Sequence, residues 1–491
     1  IEGVISDNAT VQAWADDQGI RYIASTEDQA SFLSQWRFDY LFSIINPSQT
    51  SENIINQAEI SAINFHDAPL PKYAGLHVTS WALQNQETEF GVTWHEMSST
   101  FDAGDILVQE KFPIEVDETA FSLSVKCFQK GQEAFKVLVS ALASGTVTKT
   151  PQNSEMRSVY FASQRPVNAG IINWNQSSPA ISAYSRALDY QHDDNPLTLP
   201  KVLLKGVYYL IVGEIVAVDE VSHDIRECTP GTVLRIEGES VFVATADGVV
   251  CINSLSSLDG NVLEASKCSA LIQGAHFAVL KEPELQAVDL VNQQQAKFER
   301  FWLNSLLSAE PFTFAGHGAE PVKTTNIADV ALLPLSLSGE LIDQLKTCFS
   351  GHSISDVVVS LYCCFLTRMA AATDSVDIGL IVEAEYDFNE VQSLFADRVP
   401  FSLNINTSLS AKKLVSILTI ERQTLVSKGA YTRDLIPRTH ALKSAHYPVA
   451  IEILDELANG ISGCEDTLIL SIEKNSDNVQ WKFNKTSLIN F

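Results

Sequence analysis

The stretch that decides the fold of the first part of the chain is SAINFHDAPLPKYAG, Ser61–Gly75. It begins as an apolar strand that ends in Asn64 and His66, two residues apart. Successive side chains of a strand alternate between its two faces, so we expect Asn64 and His66 to point to one side. Pro69 and Pro71 then predict the end of the strand. Ligands of open α/β sheets bind beyond the carboxyl ends of the strands, which is where this amide and imidazole converge.

Outward from this stretch, strand-like runs alternate with helical stretches from Ile1 to about Gln164. This alternation is typical of a doubly wound α/β sheet, whose strands are short apolar runs because both faces are buried. We therefore predict a Rossmann-like domain over residues 1–164. The sequence opens directly on a strand-like run, so we expect the first strand of this domain to precede Ile1.

The remaining sequence predicts two further regions that differ in their pattern of helices and strands. Residues 165–282 contain one short helix and then many short strands, with the turn signal Asp247-Gly248 between two of them. This pattern predicts hairpins in a small OB-like β-barrel domain. Residues 283–491 mix helical and strand-like runs and predict a third, α/β region.

A carboxylate follows the next strands of the first domain. Gly91–Met97 reads as a second strand, and the loop after it carries Asp102 before a third strand begins at Ile106. A carboxylate at a neighbouring strand end can reach His66, orient its ring and raise its pKa. Asn64, His66 and Asp102 are therefore the candidate catalytic trio. Taken alone, an Asn-x-His at a strand end is equally compatible with a hydrogen-bonded structural histidine.

Two other histidines, His77 and His95, fall close to the candidate trio in the sequence. They could line a substrate cleft. Because isolated histidines are more often structural or merely exposed, we expect no chemical role for either of them.

Three ordered blocks of this sequence carry a resemblance to a known family. Asn64–His66, Leu70–Gly75 and Asp102–Ile106, with 36 residues from His66 to Asp102, resemble the motif set of 10-formyltetrahydrofolate-dependent formyltransferases. The longer string His66–Leu83 is most similar to the formylation domain of nonribosomal peptide synthetases of the linear gramicidin synthetase type. This resemblance covers roughly residues 1–282. Leu76 departs from it, because a sugar-modifying relative has an Arg at that position.

The resemblance implies roles for the candidate residues. Moving a formyl group from N10 of the folate to an amine creates an oxyanion and requires a base for the amine. The implied oxyanion donor is Asn64. His66, held by Asp102, is implied to act either as the base for the amine or as a further donor to the oxyanion, and this chemistry requires no metal. The residues implied to grip the pterin, largely through backbone groups, are Ser48, Gln49, Thr50, Ser98, Ser99, Thr100, Phe101 and Asp102.

The third region carries a more diffuse resemblance. Residues 289–491 look like the second lobe of peptide-synthetase condensation domains, whereas the first lobe, which carries their catalytic histidine motif, has no counterpart. This implies a condensation-like half domain over residues 283–491 without condensation activity. A downstream adenylation domain would accompany such an arrangement.

Charge and composition restrict the partners. Sixty Asp and Glu against 33 Lys and Arg give a net charge of −27, which opposes broad contact with nucleic acid. Residues 151–281 hold nine basic and fourteen acidic residues, a net −5, which disfavours transfer RNA as the acceptor. No apolar run is long enough to span a membrane, and the eight cysteines contain no C-x-x-C pair, so a cytoplasmic location is expected.

These observations predict a formyltransferase that uses 10-formyltetrahydrofolate and modifies an aminoacyl thioester on the phosphopantetheine arm of a carrier protein domain. One alternative acceptor is the amine of a nucleotide-linked sugar. The other alternative is a catalytically idle module that keeps the fold as a scaffold.

Overall fold

The computed structural model describes most of the chain in three successive regions, each built around its own sheet. We call them the first domain (residues 1–164), the β-sheet domain (165–281) and the third region (282–491). The described residues are 1–46, 48–218, 228–312, 330–369, 376–382, 389–403, 405, 408–442, 447–455, 457, 468–474 and 478–484.

The strands of the first domain are β1 (Gly3–Ile5), β2 (Arg21–Ile23), β3 (Tyr40–Ile44), β4 (Ser61–His66), β5 (Ala74–Gly75), β6 (Glu89–Glu96), β7 (Ile106–Pro113) and β8 (Val159–Tyr160). Two parallel pairs of short strands, β1 with β2 and β5 with β8, accompany a separate four-stranded sheet in the order β3-β4-β6-β7. Only β3 and β4 run parallel in the larger sheet, so the domain is α/β as predicted but its sheet is mixed. The helices are α1 (Ala9–Asp17), α2 (Gln29–Leu33), α3 (Glu52–Ile55), α4 (Val78–Gln84) and α5 (Ala120–Ser144).

Helix α5 supports the sheet that carries the candidate site. Thr119 and Ser122 form a capping box at its start, and Gly145 ends it in a left-handed conformation. Leu123 and Leu138 on its inner face are fully buried in the core of the first domain. This core fixes the strands whose ends form the site.

The β-sheet domain is a curled antiparallel sheet in the order β11-β12-β13-β10-β9, with β14 on β13. The predicted turn at Asp247-Gly248 joins β12 and β13, where the Thr245 N–H donates to the Gly248 carbonyl. β9 and β11 lie at opposite ends of this order and do not pair with each other among the described residues. The described strands therefore form a curled sheet rather than the closed OB-like barrel that the sequence predicts. The elements are α6 (Ser178–Ala187), β9 (Lys201–Leu204), β10 (Val207–Val218), β11 (Val233–Glu237), β12 (Ser240–Ala244), β13 (Val249–Ser257) and β14 (Val262–Leu263).

The third region is α/β, as its sequence pattern predicts. Its mixed sheet has the order β15-β20-β19-β18-β16-β17, with parallel pairing only around β18. The strands are β15 (Val330–Ser336), β16 (Val376–Ile381), β17 (Arg398–Leu403), β18 (Val449–Leu454), β19 (Leu468–Glu473) and β20 (Asn478–Asn484). The helices are α7 (Glu282–Ala296), α8 (Glu299–Leu307), α9 (Gly339–Cys348), α10 (Ile354–Met369), α11 (Asn389–Gln392) and α12 (Ala411–Lys428).

We searched the described residues for membrane-spanning helices, disulfide bonds and metal-binding clusters. None of the helices described above is both long and apolar enough to cross a bilayer. The seven cysteines in the described part of the chain form no disulfide. The same residues contain no group of three His, Cys, Asp or Glu side chains arranged to hold a metal ion.

The β-sheet domain and the third region share one hydrophobic core. Tyr208 and Leu210 of β10 belong to the same buried cluster as Trp302 of α8 and Phe401 of β17. Burial of large apolar side chains across the boundary stabilises the two regions as one body. The third region is therefore packed onto the β-sheet domain.

A buried ion network crosses the same boundary. Lys201 Nζ lies 2.7 Å from Asp434 Oδ2, and both side chains are almost completely buried. Although burial favours the neutral acid, Lys201 and Arg438 hold the pKa of Asp434 well below its usual range. Arg438 also pairs with Glu299, which contacts Arg165 Nη2 at 3.1 Å.

Replacing one partner of this network tests its contribution. We expect Lys201→Met to lower the free energy of unfolding by about 3 kcal/mol, because it leaves the buried Asp434 carboxylate without its nearest cation. Urea unfolding followed by the fluorescence of Trp302, in the shared core, measures the change. The control Lys267→Met removes an exposed pair with Glu264 and should cost less than about 1 kcal/mol. Equal losses in both variants would contradict the network's role.

Candidate active site

The carboxyl end of β4 opens into a cleft of about 270 Å³. Asn64 and His66 both line it, as strand alternation predicts, and β4 ends at His66. The other lining residues come from the ends of β3 and β6, the loops after them, and the segment around Gly75. The full lining is Ser43, Ile45, Asn46, Ser48, Gln49, Thr50, Ile55, Asn64, Phe65, His66, Asp67, Gly75, Leu76, His77, His95, Met97, Ser98, Phe101, Asp102 and Phe128.

Asp102 joins the predicted pair at the floor of the cleft. Its Oδ2 lies 3.7 Å from His66 Nδ1 and accepts a hydrogen bond of 3.0 Å from the Gly75 N–H. Burial raises the pKa of this carboxyl, but the His95 hydrogen bond, the nearby His66 and the Gly75 N–H outweigh burial and lower it below the ordinary value. Asp102 is therefore an anion at neutral pH, and the structure brings all three predicted catalytic residues together.

The backbone of the Asp102 loop is held by two side chains that sequence reasoning did not identify. Asp102 has a positive φ of 50°, a conformation that non-glycine residues rarely adopt. Its carbonyl accepts hydrogen bonds from Gln152 Nε2 at 3.0 Å and Arg157 Nη1 at 2.9 Å. Gly104 brings the loop so close to β6 that a Cβ there would lie 1.9 Å from the Glu96 carbonyl oxygen. These contacts fix the direction of the carboxylate.

Gly75 is required by both its conformation and its surroundings. It has a φ of 105°, and a Cβ at this position would lie 2.0 Å from the Tyr160 carbonyl oxygen. This close approach comes from the pairing of β5 with β8. The conformation aims the Gly75 N–H at Asp102, so the Tyr73–Gly75 turn is part of the site.

The orientation of His66 follows from its other nitrogen. His66 Nε2 lies 2.7 Å from the Tyr73 carbonyl oxygen, which can only accept, so Nε2 carries a hydrogen. The neutral ring then has its lone pair on Nδ1, between the Asp102 carboxylate and Asp67 Oδ1 at 3.9 Å. His66 Nδ1 is thus positioned to take a proton from a group in the cleft.

His95 is a fourth member of the cluster and contacts two of the three predicted residues. Its Nε2 lies 3.2 Å from Asn64 Nδ2 and 3.5 Å from Asp102 Oδ1, while Nδ1 contacts the Glu96 carbonyl at 2.8 Å. His95 is directly opposite Asn64 in the antiparallel pairing of β4 and β6. The β6–β7 register shifts between Trp94 and His95, and such irregularities re-aim side chains beside functional sites.

His77 also lines the cleft. It precedes α4 with a left-handed φ of 57° and makes no capping hydrogen bond to that helix. Burial, together with Arg165, lowers the pKa of His77 to about 4, so this ring is neutral at neutral pH.

The structure places most of the predicted pterin-gripping residues around one end of the cleft. Gln49 Nε2 donates to the Ser99 carbonyl at 3.3 Å, which ties the loop after β3 to the loop after β6. Ser99 and Thr100 do not line the cleft in the described part of the chain, although they flank residues that do. The predicted residues that line it are Ser48, Gln49, Thr50, Ser98, Phe101 and Asp102.

Comparison with protein families identifies two parts of the chain. Residues 50–142 match the model of the formyl transferase family, and residues 166–270 match the model of the formyl transferase C-terminal domain. The first match contains Asn64, His66 and Asp102. The chain is a formyl-transferring enzyme, which confirms that prediction from the sequence.

Solved structures similar to this one include the following three proteins. WlaRD, a sugar 3N-formyl transferase solved with dTDP and 5-N-formyl-THF, is 19% identical, and the match covers 50% of this chain and 84% of WlaRD with a TM-score of 0.39. An N-formyltransferase from Helicobacter canadensis, solved with folinic acid and dTDP-3-aminofucose, is 20% identical over 51% and 84% of the two chains, with a TM-score of 0.39. HypX from Aquifex aeolicus, solved with tetrahydrofolic acid, is 16% identical over 57% and 51%, with a TM-score of 0.38.

Replacing His95 tests its role in positioning Asn64 and Asp102. We expect His95→Phe, which keeps a ring but removes both nitrogens, to lower kcat for formyl transfer about 10²-fold, because Asn64 and Asp102 lose their shared partner. Steady-state kinetics with saturating formyl donor measures the change. The exposed His192→Phe variant is the control. An unchanged kcat in His95→Phe would show that the ring only fills space.

The neutral state of His77 predicts a pH dependence of stability. Its pKa of about 4 in the folded protein lies below the ordinary value near 6.5, so the unfolded chain binds the proton first as the pH falls. Stability linked to His77 is therefore present above pH 6.5 and lost towards pH 4. In the variant His77→Asn, the side chain tolerates the left-handed backbone and does not titrate. As the pH falls from 6.5 to 4, the free energy of unfolding of this variant should rise by up to about 3 kcal/mol relative to that of wild type. Urea unfolding at pH 7 and pH 4.5 measures it, and a constant difference would contradict the assignment.

Proposed function

We propose that this protein transfers the formyl group of 10-formyltetrahydrofolate to the amino group of an aminoacyl thioester held on the phosphopantetheine arm of a carrier protein domain. The observation that carries the proposal is the convergence of Asn64, His66 and Asp102 on one cleft. An amide donor, an imidazole and a buried carboxylate are the groups that formyl transfer to an amine requires.

The cleft suits a flat heteroaromatic donor. Ile55, Met97 and Phe101 offer apolar surface for a ring, and Asn46 and Gln49 supply hydrogen-bonding groups beside it. Binding sites for small molecules combine an apolar lining with a few polar groups in this way. The pterin would lie between the loops after β3 and β6, with its formyl group towards Asn64.

Each catalytic residue has a separate task in the transfer. Asn64 donates an N–H to the formyl oxygen as negative charge develops on it. His66 takes a proton from the attacking amine on Nδ1, and the Asp102 anion stabilises the imidazolium that results. The Gly75 N–H and His95 keep Asp102 in place during this step.

The charge of the cleft supports an acceptor without phosphate groups close to its amine. None of its described lining residues is Lys or Arg, whereas a nucleotide-linked sugar brings a diphosphate that cations would have to bind. Leu76, which lines the cleft, stands where a sugar-modifying relative has an Arg. A phosphopantetheine arm places its phosphate far from the thioester, at the end attached to the carrier domain.

Two further features of the chain support a place in peptide synthesis. The string His66–Leu83 resembles the formylation domain of a peptide synthetase, and residues 289–491 resemble one lobe of a condensation domain. The third region shares a core with the β-sheet domain. We propose that this region is a condensation-like platform next to an adenylation and a carrier domain.

Mass spectrometry of the acceptor tests the proposal. The protein is incubated with 10-formyltetrahydrofolate and either an aminoacyl carrier protein or an amino-sugar nucleotide. A mass gain of one formyl group on the carrier-bound amino acid is the expected result. Formylation of the sugar nucleotide alone would replace the proposed acceptor, and no folate binding in calorimetry would leave only a scaffold.

Substitution of Asn64 tests the oxyanion role. We expect Asn64→Ala to lower kcat about 10²- to 10³-fold, since the donor that stabilises the transition-state oxygen is lost. Folate affinity, measured by calorimetry, should change little. The exposed Asn253→Ala variant, in the β-sheet domain, should behave as wild type. A kcat within twofold of wild type for Asn64→Ala would contradict the mechanism.

A further inference from the structure

The acidic groups of the cleft have different surroundings. Asp102 and Asp67 are the carboxylates among its described lining residues. The Asp102 side chain is only 2% exposed and is engaged by Gly75, His66 and His95. The Asp67 side chain is 33% exposed, and its Oδ1 lies 3.9 Å from His66 Nδ1.

None of the described lining residues supplies a permanent positive charge to Asp67. The described lining residues include no Lys or Arg, and His77 is neutral because burial and Arg165 lower its pKa to about 4. A carboxylate in a cleft with apolar walls gains from a counter-ion, which the described lining residues do not supply. The cleft therefore carries a net negative charge beside the proton-accepting nitrogen of His66.

We propose that Asp67 binds the ammonium group of the acceptor and thereby selects acceptors whose amine enters the cleft as a cation. This inference rests on the proposed function, which it deepens by naming the charge state of the acceptor. The ammonium sits between the Asp67 carboxylate and His66 Nδ1, so the ion pair that binds the acceptor also places its proton next to the base.

The transfer then balances without another reactant. The ammonium gives one proton to His66 Nδ1, and the nitrogen lone pair forms the new bond to the formyl carbon. The bond from that carbon to N10 of the folate breaks, and N10 gains a proton. The acceptor nitrogen loses its second proton, so one proton is released overall to solvent. Asp67 acts on the first step because it holds the cation.

Two acceptors of similar shape distinguish ion pairing with Asp67 from effects of Asp67 on His66 or on the fold. One is an aminoacyl pantetheine thioester, which carries an ammonium group at neutral pH. The other is the corresponding aminooxyacyl thioester, whose weakly basic nitrogen is uncharged. Binding of each is measured by calorimetry with 5-formyltetrahydrofolate present, and KM is measured with the active donor. Asp67→Asn, with the exposed Asp193→Asn as its control, is compared with wild type.

We expect Asp67→Asn to weaken binding and raise KM of the ammonium acceptor about tenfold, which is typical for loss of a hydrogen bond to a charged group. Binding and KM of the aminooxy acceptor, and folate affinity, should stay within twofold. Equal changes for both acceptors would overturn the proposal, because Asp67 would then act only through His66 or the fold. Equal binding of both acceptors by wild type would also overturn it.

Failure of the proposed acceptor class gives a different result. If wild type formylates an amino-sugar nucleotide and no pantetheine thioester, the carrier-protein proposal is wrong. The same comparison on that substrate still tests Asp67, since its amine is also an ammonium group. An unchanged KM for the amino sugar in Asp67→Asn would then overturn the inference separately.

Discussion

The geometry of the site depends on one buried carboxylate, that of Asp102. A carboxylate removed from water must be paired and hydrogen-bonded, so its partners cannot move independently of it. Those partners come from the turn at Gly75, the end of β4 at His66 and the middle of the sheet at His95. One anion therefore holds the strand, the turn and the loop around the reacting groups. Asn64 joins the same arrangement through His95.

The regions beyond the first domain influence this site through packing and charge. The β-sheet domain and the third region share a core and the buried Lys201–Asp434 pair. Burial is the main cause of the lowered pKa of His77 on the cleft wall, and within the same network Arg165 and Arg438 lower it further while Glu299 opposes them. The third region thus contributes to the electrostatics of the cleft as well as to the stability of the β-sheet domain. A freely tethered module would have no such effect.

Local patterns in the sequence predicted much of this arrangement. Asn64 and His66 fall on one face because strand side chains alternate, and the Pro residues after them end the strand as expected. His95 was missed because its position depends on the antiparallel register of β4 and β6 and on a shift at Trp94, neither of which appears in the sequence of one strand. The Lys201–Asp434 pair joins residues 233 positions apart, a separation that no periodicity encodes. The approach of Asp102 to His66 was predictable because both follow strand ends at one edge of the sheet. Contacts that depend on strand register or on packing between regions were not predictable.

The central claim is that the Asp102 anion supports catalysis in the cleft by orienting His66 and by stabilising the imidazolium that forms when His66 accepts a proton. Single-turnover formyl transfer in Asp102→Asn, with folate affinity measured in parallel by calorimetry, tests this claim most directly. We expect the chemical step to slow at least about 10²-fold while folate still binds, because the amide cannot stabilise the imidazolium. A chemical step at the wild-type rate in a folded variant that binds folate would contradict the account.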